Sequence, residues 1–234
     1  MIYIRSFLFN IFFIIWTLVL AIVASPFYLA PPKIAVKIGY IWSSGIMIAL
    51  KYICGITYEI SGKENLPDEP FVIASKHQSA WDTAIFLKEL KAPVYILKKE
   101  LLKIPLFGHY LKVMDMIPVD RSAGIKALKQ LQKDTKDRLS RKHSVIIFPE
   151  GTRTTPCEKV SYKPGISFIY KDLSDNIPVI PVALNSGLYW QKSSFLKKPG
   201  IIKMQYLPPI MPGLSAKEFI AKLEDVIEGH CSGL

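Results

Sequence analysis

Residues 7–24 are apolar except for Asn10 and Thr17, and no other stretch restricts the fold so strongly. At ~1.5 Å rise per residue a helix of that length just reaches the ~30 Å hydrocarbon thickness of a bilayer. The run is long and aromatic, and Pro26 follows it without a good small-residue cleavage site, which is unlike a secretory signal. A linker over residues 25–33 carries Pro26, Pro31 and Pro32, and a second apolar helix is expected over residues 34–54. That helix has Lys37 near its start, Lys51 near its end, and Gly39, Ser43, Ser44 and Gly45 as small positions for close packing. If the pair were a spanning hairpin, Lys33 and Lys37 would cross to the far side against the positive-inside tendency. We therefore expect a helix pair sunk in one leaflet, with Arg5, Lys33, Lys37 and Lys51 reaching phosphates at its surface. A single span of the first helix is the alternative.

After Gly55 the pattern changes to short strands alternating with helices. Strands are expected at 57–61, 71–75, 94–97, 144–148, Val179–Leu184 and 201–206, with a short apolar strand at Ile117–Val119. Helices are expected from Asp82 to Leu90, from a Ser122 cap to about Arg141, and from a Ser215 cap to about Gly229. Ile125, Leu128, Leu131 and Leu139 would form the buried stripe of the middle helix. This alternation predicts an α/β fold with a mixed sheet flanked by helices, divided into a two-helix membrane motif at 1–54 and an α/β domain at 55–234.

Half of the residues are apolar and the formal charge is +11. Apolar and basic together suit an anionic membrane surface. Nucleic acid is not an expected partner, because the lysines are dispersed and no binding motif accompanies them. Cys54, Cys157 and Cys231 show no paired spacing, so neither a disulfide framework nor a thiolate zinc site is suggested, and no metal is expected. His109, His143 and His230 have no partner motif.

Two polar blocks carry the chemistry. In His77-Gln78-Ser79-Ala80-Trp81-Asp82, a regular helix would set the histidine and the aspartate about 140° apart. With His77 on a turn after a strand and Asp82 in the first helical turn, the loop can bring them together. Asp82 would then fix the imidazole tautomer while the other nitrogen takes a proton from an attacking hydroxyl. Ser79 lacks a G-x-S-x-G elbow, so we assign it to hydrogen bonding within the turn. In Phe148-Pro149-Glu150-Gly151-Thr152-Arg153, a glycine exposes backbone donors beside an arginine, whose fork suits a phosphate.

These blocks resemble motifs I and III of the glycerolipid acyltransferases. Met116-Ile117-Pro118-Val119-Asp120-Arg121 resembles motif II, and Val179-Ile180-Pro181-Val182-Ala183-Leu184 resembles motif IV, where Pro181 shapes the strand. Residues 97–102 and 104–108 are similar to the family as well. The resemblance spans residues 57–209 and is nearest to the bacterial 1-acyl-sn-glycerol-3-phosphate acyltransferases. It implies His77 and Asp82 as catalytic, and Arg121 and Arg153 as phosphate-binding. Glu150 would orient the acceptor glycerol or the phosphate loop, with Gly151, Thr152 and Lys163 completing the substrate site. The implied substrates are lysophosphatidic acid and an acyl-CoA or acyl carrier protein donor, with no further cofactor. The cytoplasmic face of the membrane is the expected location, since a reduced compartment fits the three unpaired cysteines. Within the family the alternative acceptors are other lyso-lipids, such as lyso-ornithine lipid or lysocardiolipin. From another class, the alternative is a non-catalytic lipid-binding protein. Two departures stand out. Lys76 replaces the asparagine common before the histidine, and Asp115, close in sequence to Arg121, replaces the glycine that opens motif II. Aspartate tolerates the positive φ expected there.

Overall fold

The computed structural model describes residues 1–25, 31–68, 70–156, 158–231 and 233–234. Cys157 and most of the proline linker, including Pro26, lie outside the described residues. Helix α1 (Ile2–Ala24) packs on α2 (Pro32–Ala49), which continues into a π-helical turn at Leu50–Cys54. Gly55 ends that turn in the left-handed region, with φ 70°, where glycine has no Cβ to clash. The small residues of α2 act as the sequence suggests. A Cβ on Gly45 would meet the Trp16 ring at 2.5 Å, and the Ser43 hydroxyl donates to the Ala84 carbonyl at 2.5 Å. Both helices are long and apolar enough to cross a membrane. Much of α1 stays uncovered, with Ile4, Phe7, Leu8, Ile14, Ile15, Leu18, Ile22 and Val23 exposed.

The remaining chain builds a seven-stranded sheet in the order β1-β7-β6-β2-β5-β3-β4. Its strands are β1 (Ile56–Ser61), β2 (Val72–Ser75), β3 (Val94–Lys98), β4 (Ile117–Val119), β5 (Val145–Ile147), β6 (Val179–Leu184) and β7 (Gly200–Tyr206). Neighbours are parallel except β6 and β7, so the sheet is mixed, as expected. The β6–β7 ladder begins at Val182, just after Pro181, which has no N–H to contribute. Successive side chains of a strand point to opposite faces, and both faces here are covered. Ile73, Ile146, Ile180 and Val182 join Phe9, Ile46, Trp81 and Ile85 in one core. Val72, Ala74, Val145, Ile147 and Val179 join Leu131, Ile166, Phe219 and Leu223 in the other.

Helices α3 (Trp81–Glu89) and α4 (Phe107–Val113) belong to the first side, with α1 and α2. Helices α5 (Gly124–Ser140), α6 (Gly165–Lys171) and α7 (Ala216–Cys231) cover the second. Ser215 starts α7 as expected, through a reciprocal pair in which its hydroxyl accepts from the Glu218 N–H and Glu218 accepts from the Ser215 N–H. Ser122 does not cap α5. It lies in a 3-10 turn whose cap is Asp120, which accepts from both the N–H and the hydroxyl of Ser122. Ile125 is also not in the buried stripe. Residues 121–126 are all exposed, because the first turn of α5 projects past the apolar surface and packing begins with half-buried Leu128 and buried Leu131.

Candidate active site

Strands β6, β2, β5, β3 and β4 run in one direction, so their carboxyl ends share one edge of the sheet. In open α/β sheets such an edge is where ligands gather. With β2 between β6 and β5, three loops become neighbours: the one leaving β2 into His77, the one leaving β5 into Glu150, and the one leaving β6 into Ser186. Arg121 follows β4 on the same edge.

His77 and Asp82 meet as the loop argument requires. Nδ1 of His77 lies 3.0 Å from Asp82 Oδ2, with Asp82 in the first turn of α3. The same oxygen accepts from the N–H groups of Gln78 at 2.6 Å and Ser79 at 2.8 Å. Oδ1 accepts from the Ser186 hydroxyl at 2.5 Å. Because these donors converge on a fully buried carboxylate, the imidazole nitrogen facing it must also donate. That sets the proton on Nδ1 and leaves the Nε2 lone pair free of any hydrogen bond among the described residues. The Phe148 ring stacks on the imidazole at 4.0 Å and 19°, which holds the ring plane. Ser79 has the turn role expected of it, accepting from the Trp81 N–H at 3.0 Å.

Glu150 is buried and faces inward. One oxygen accepts the His77 N–H at 2.9 Å, and the other lies 2.6 Å from the Lys76 ammonium and 3.1 Å from the Thr154 hydroxyl. Burial pushes its carboxyl up from the usual range, against the downward pull of Lys76. Its contact with the loop after β2 is therefore through the backbone of His77. The Thr154 N–H, donating to the His77 carbonyl at 2.8 Å, fastens the same two blocks a second time.

Gly151 has φ 69°, and a Cβ there would lie 3.1 Å from Lys163 Cγ and 3.8 and 3.9 Å from the Arg121 guanidinium nitrogens. The turn thus gathers two exposed cations from distant parts of the chain, Arg121 and Lys163. Arg153, half-buried, follows in the same turn. Lys192 was not singled out by the sequence, which offers no motif around it. Its ammonium donates to the Thr152 hydroxyl at 3.2 Å and to the Arg153 carbonyl at 2.9 Å. Asp115 has the positive φ expected, 59°, but its charge is engaged by Arg138 at 2.8 Å and by Arg141, not by Arg121. Arg138 lies in the last turn of α5 and Arg141 directly after it, so both reach Asp115 and Arg121 stays outside this cluster. No group of three or more His, Cys, Asp or Glu side chains among the described residues is placed to hold a metal ion. Cys54 and Cys231 are free and buried.

A histidine held by a buried carboxylate at a sheet edge, beside a cationic glycine turn, is an arrangement able to take a proton next to an anion. Comparison with known proteins agrees: residues 57–185 match the protein family described as Acyltransferase, and the chain belongs to that family. A 1-acyl-sn-glycerol-3-phosphate acyltransferase of Pseudomonas aeruginosa is 36% identical over 192 residues, covering 82% of this chain and 74% of its own. One from Limnanthes alba is 31% identical over 183 residues, covering 76% of this chain, which spans 63% of that relative's length. The crystal structure of the 1-acyl-sn-glycerophosphate (LPA) acyltransferase PlsC of Thermotoga maritima superposes with a TM-score of 0.79 at 23% identity, covering 100% of this chain and 97% of that one. It shares the fold.

Proposed function

We propose that this chain transfers a fatty acyl group from a thioester, acyl-CoA or acyl carrier protein, to the sn-2 hydroxyl of 1-acyl-glycerol 3-phosphate, giving phosphatidic acid. The observation that carries the reading is the 3.0 Å contact between His77 Nδ1 and Asp82, which aims Nε2 outward as a base. That nitrogen takes the hydroxyl proton as the acceptor oxygen attacks the thioester carbonyl. Asp82 stabilises the imidazolium. The tetrahedral intermediate collapses by breaking the carbon–sulfur bond, and the imidazolium returns its proton to the departing thiolate. The substrate alcohol is the nucleophile, so no acyl-enzyme is needed.

Arg121, Arg153 and Lys163, with Lys192 as a fourth cation, would hold the acceptor phosphate on the Gly151–Thr152 turn. Glu150 serves as a positioning residue for the His77 loop. Residues 1–54 would seat the enzyme in the cytoplasmic leaflet as a monotopic helix pair. The uncovered apolar residues of α1 support this, as do the exposed Arg5, Lys33, Lys37 and Lys51, suited to lipid phosphates.

The test is purified protein in detergent, offered lysophosphatidic acid against other lyso-lipids, with each donor, and products identified by mass spectrometry. Phosphatidic acid should dominate. Transfer confined to a phosphate-free acceptor would overturn the reading.

A further inference from the structure

Lys76 precedes His77 at the end of β2, so the extended backbone turns its side chain away from the histidine and into the protein. There it is fully buried, and its three donors are all engaged. The ammonium lies 2.6 Å from Glu150 Oε1, 2.7 and 2.9 Å from the Glu228 oxygens, and 3.1 Å from the Glu158 carbonyl. Glu228 stands on α7, 152 residues away in sequence. Its Oε1 also accepts from the Tyr162 hydroxyl at 3.1 Å, while Glu224, one turn earlier, accepts the Tyr162 N–H at 3.1 Å. Tyr162 adjoins Lys163, whose N–H donates to the Pro149 carbonyl at 2.8 Å.

One ammonium therefore ties together the catalytic loop, the phosphate turn and the last helix. Its grip on Glu150 Oε1, shared with Thr154, leaves Oε2 turned to the His77 N–H. We infer that Lys76 and Glu228 are positioning residues for His77, and that helix α7 sets the catalytic loop through them.

The charge count shapes the test. Lys76→Met would leave the buried Glu150 and the partly buried Glu228 without their counter-charge, and breaking a buried pair from one side is strongly destabilising. Glu228→Gln leaves Lys76 and Glu150 as a one-to-one pair and keeps an oxygen acceptor. It serves as the variant that folds.

The kinetic arm rests on the acyltransferase reading above. Misplacement of a reacting group by about 1 Å costs on the order of a hundredfold in rate. We expect kcat to fall about tenfold to a hundredfold in Lys76→Met and about threefold to tenfold in Glu228→Gln, on the same scale. Acceptor KM should change less than kcat. In Lys76→Met/Glu228→Gln, kcat should exceed the product of the single losses, because removing the second carboxylate relieves its repulsion.

A second arm needs no activity. Nitrogen-15 NMR of histidine-labelled full-length protein, with His77 assigned by His77→Gln, should show the Nδ1–H tautomer in the wild type. Both tautomers should appear in Lys76→Met, and in Glu228→Gln to a smaller extent. Wild-type kcat and an unchanged His77 tautomer in Glu228→Gln would overturn the inference, whatever happens to melting temperature. Absence of turnover by the wild-type protein on every lyso-lipid would instead defeat the proposed function, and the NMR arm would still decide this one.

Discussion

The Ser186 hydroxyl donates to Asp82 Oδ1 at 2.5 Å across 104 residues of sequence, so the loop after β6 helps hold the carboxylate that orients His77. Ser186→Ala would leave that oxygen buried with no donor among the described residues, which costs about 1–3 kcal/mol. We expect a corresponding fall in melting temperature and a loss of about tenfold in kcat, on the scale of a small misplacement. Unchanged kcat would remove Ser186 from the site.

His77→Ala should abolish turnover while melting temperature and membrane binding hold, because the base acts only as the acceptor hydroxyl loses its proton. Asp82→Asn should fall about a thousandfold or more in kcat, since an amide can favour the wrong imidazole tautomer. Near-normal kcat in His77→Ala with the best acceptor would require the mechanism to be abandoned.

Arg153→Ala and Arg121→Ala should each raise the KM for lysophosphatidic acid about tenfold, the loss of one charge-assisted contact of ~1.5 kcal/mol. Donor KM should change less. Gly151→Ala should resemble them, because an alanine at φ 69° is strained and its Cβ would press Lys163 Cγ at 3.1 Å. A sharp rise in donor KM alone would reassign these cations to the donor's phosphates.

Glu150 titrates higher in the folded chain than its ordinary 4.5, chiefly through burial. The folded state therefore favours the protonated carboxyl. This group's contribution to stability is fully present below pH 4.5 and is lost as pH rises through the raised folded value. Glu150→Gln should remove that slope. Melting temperature measured from pH 4 to 7 should decline less in the variant than in the wild type, and identical curves would refute the assignment.

Deleting residues 1–54 should release the protein from anionic vesicles at high salt, while the remaining basic surface keeps some salt-sensitive binding. The cut also uncovers Trp190, against which Phe9 packs at 5.3 Å and 84°, and the buried Lys197, which donates to Asn10 at 2.7 Å. The truncated protein should consequently aggregate more readily. Flotation of the folded, truncated protein equal to full length at high salt would show that the anchor lies elsewhere.

The pairing of His77 with Asp82 was legible because it is local. A strand ending at Ser75 and a helix beginning at Trp81 leave a short loop with few ways to fold, and aspartate in the first turn is well placed to accept its N–H groups. The two apolar helices and most strands were legible for a similar reason, since each is a local run of apolar residues, long in the helices and short between turn residues in the strands. Helices α4 and α6, seven residues each, were not read, because so short a segment carries too little periodicity to declare itself.

By itself the sequence determined most of the elements, the pairing of His77 with Asp82, and a glycine turn beside an arginine. Only the tertiary structure decided which distant groups serve them. The strand order puts β2 between β5 and β6, and that brings Ser186 to Asp82, Glu150 to the His77 N–H, and Glu228 to Lys76. The same packing turned Glu150 inward, gave Asp115 to Arg138 and Arg141, and left Ile125 in solvent. Hydrophobic periodicity specifies which face of an element is buried. It does not specify the neighbour against which that face, or a polar group beside it, comes to rest.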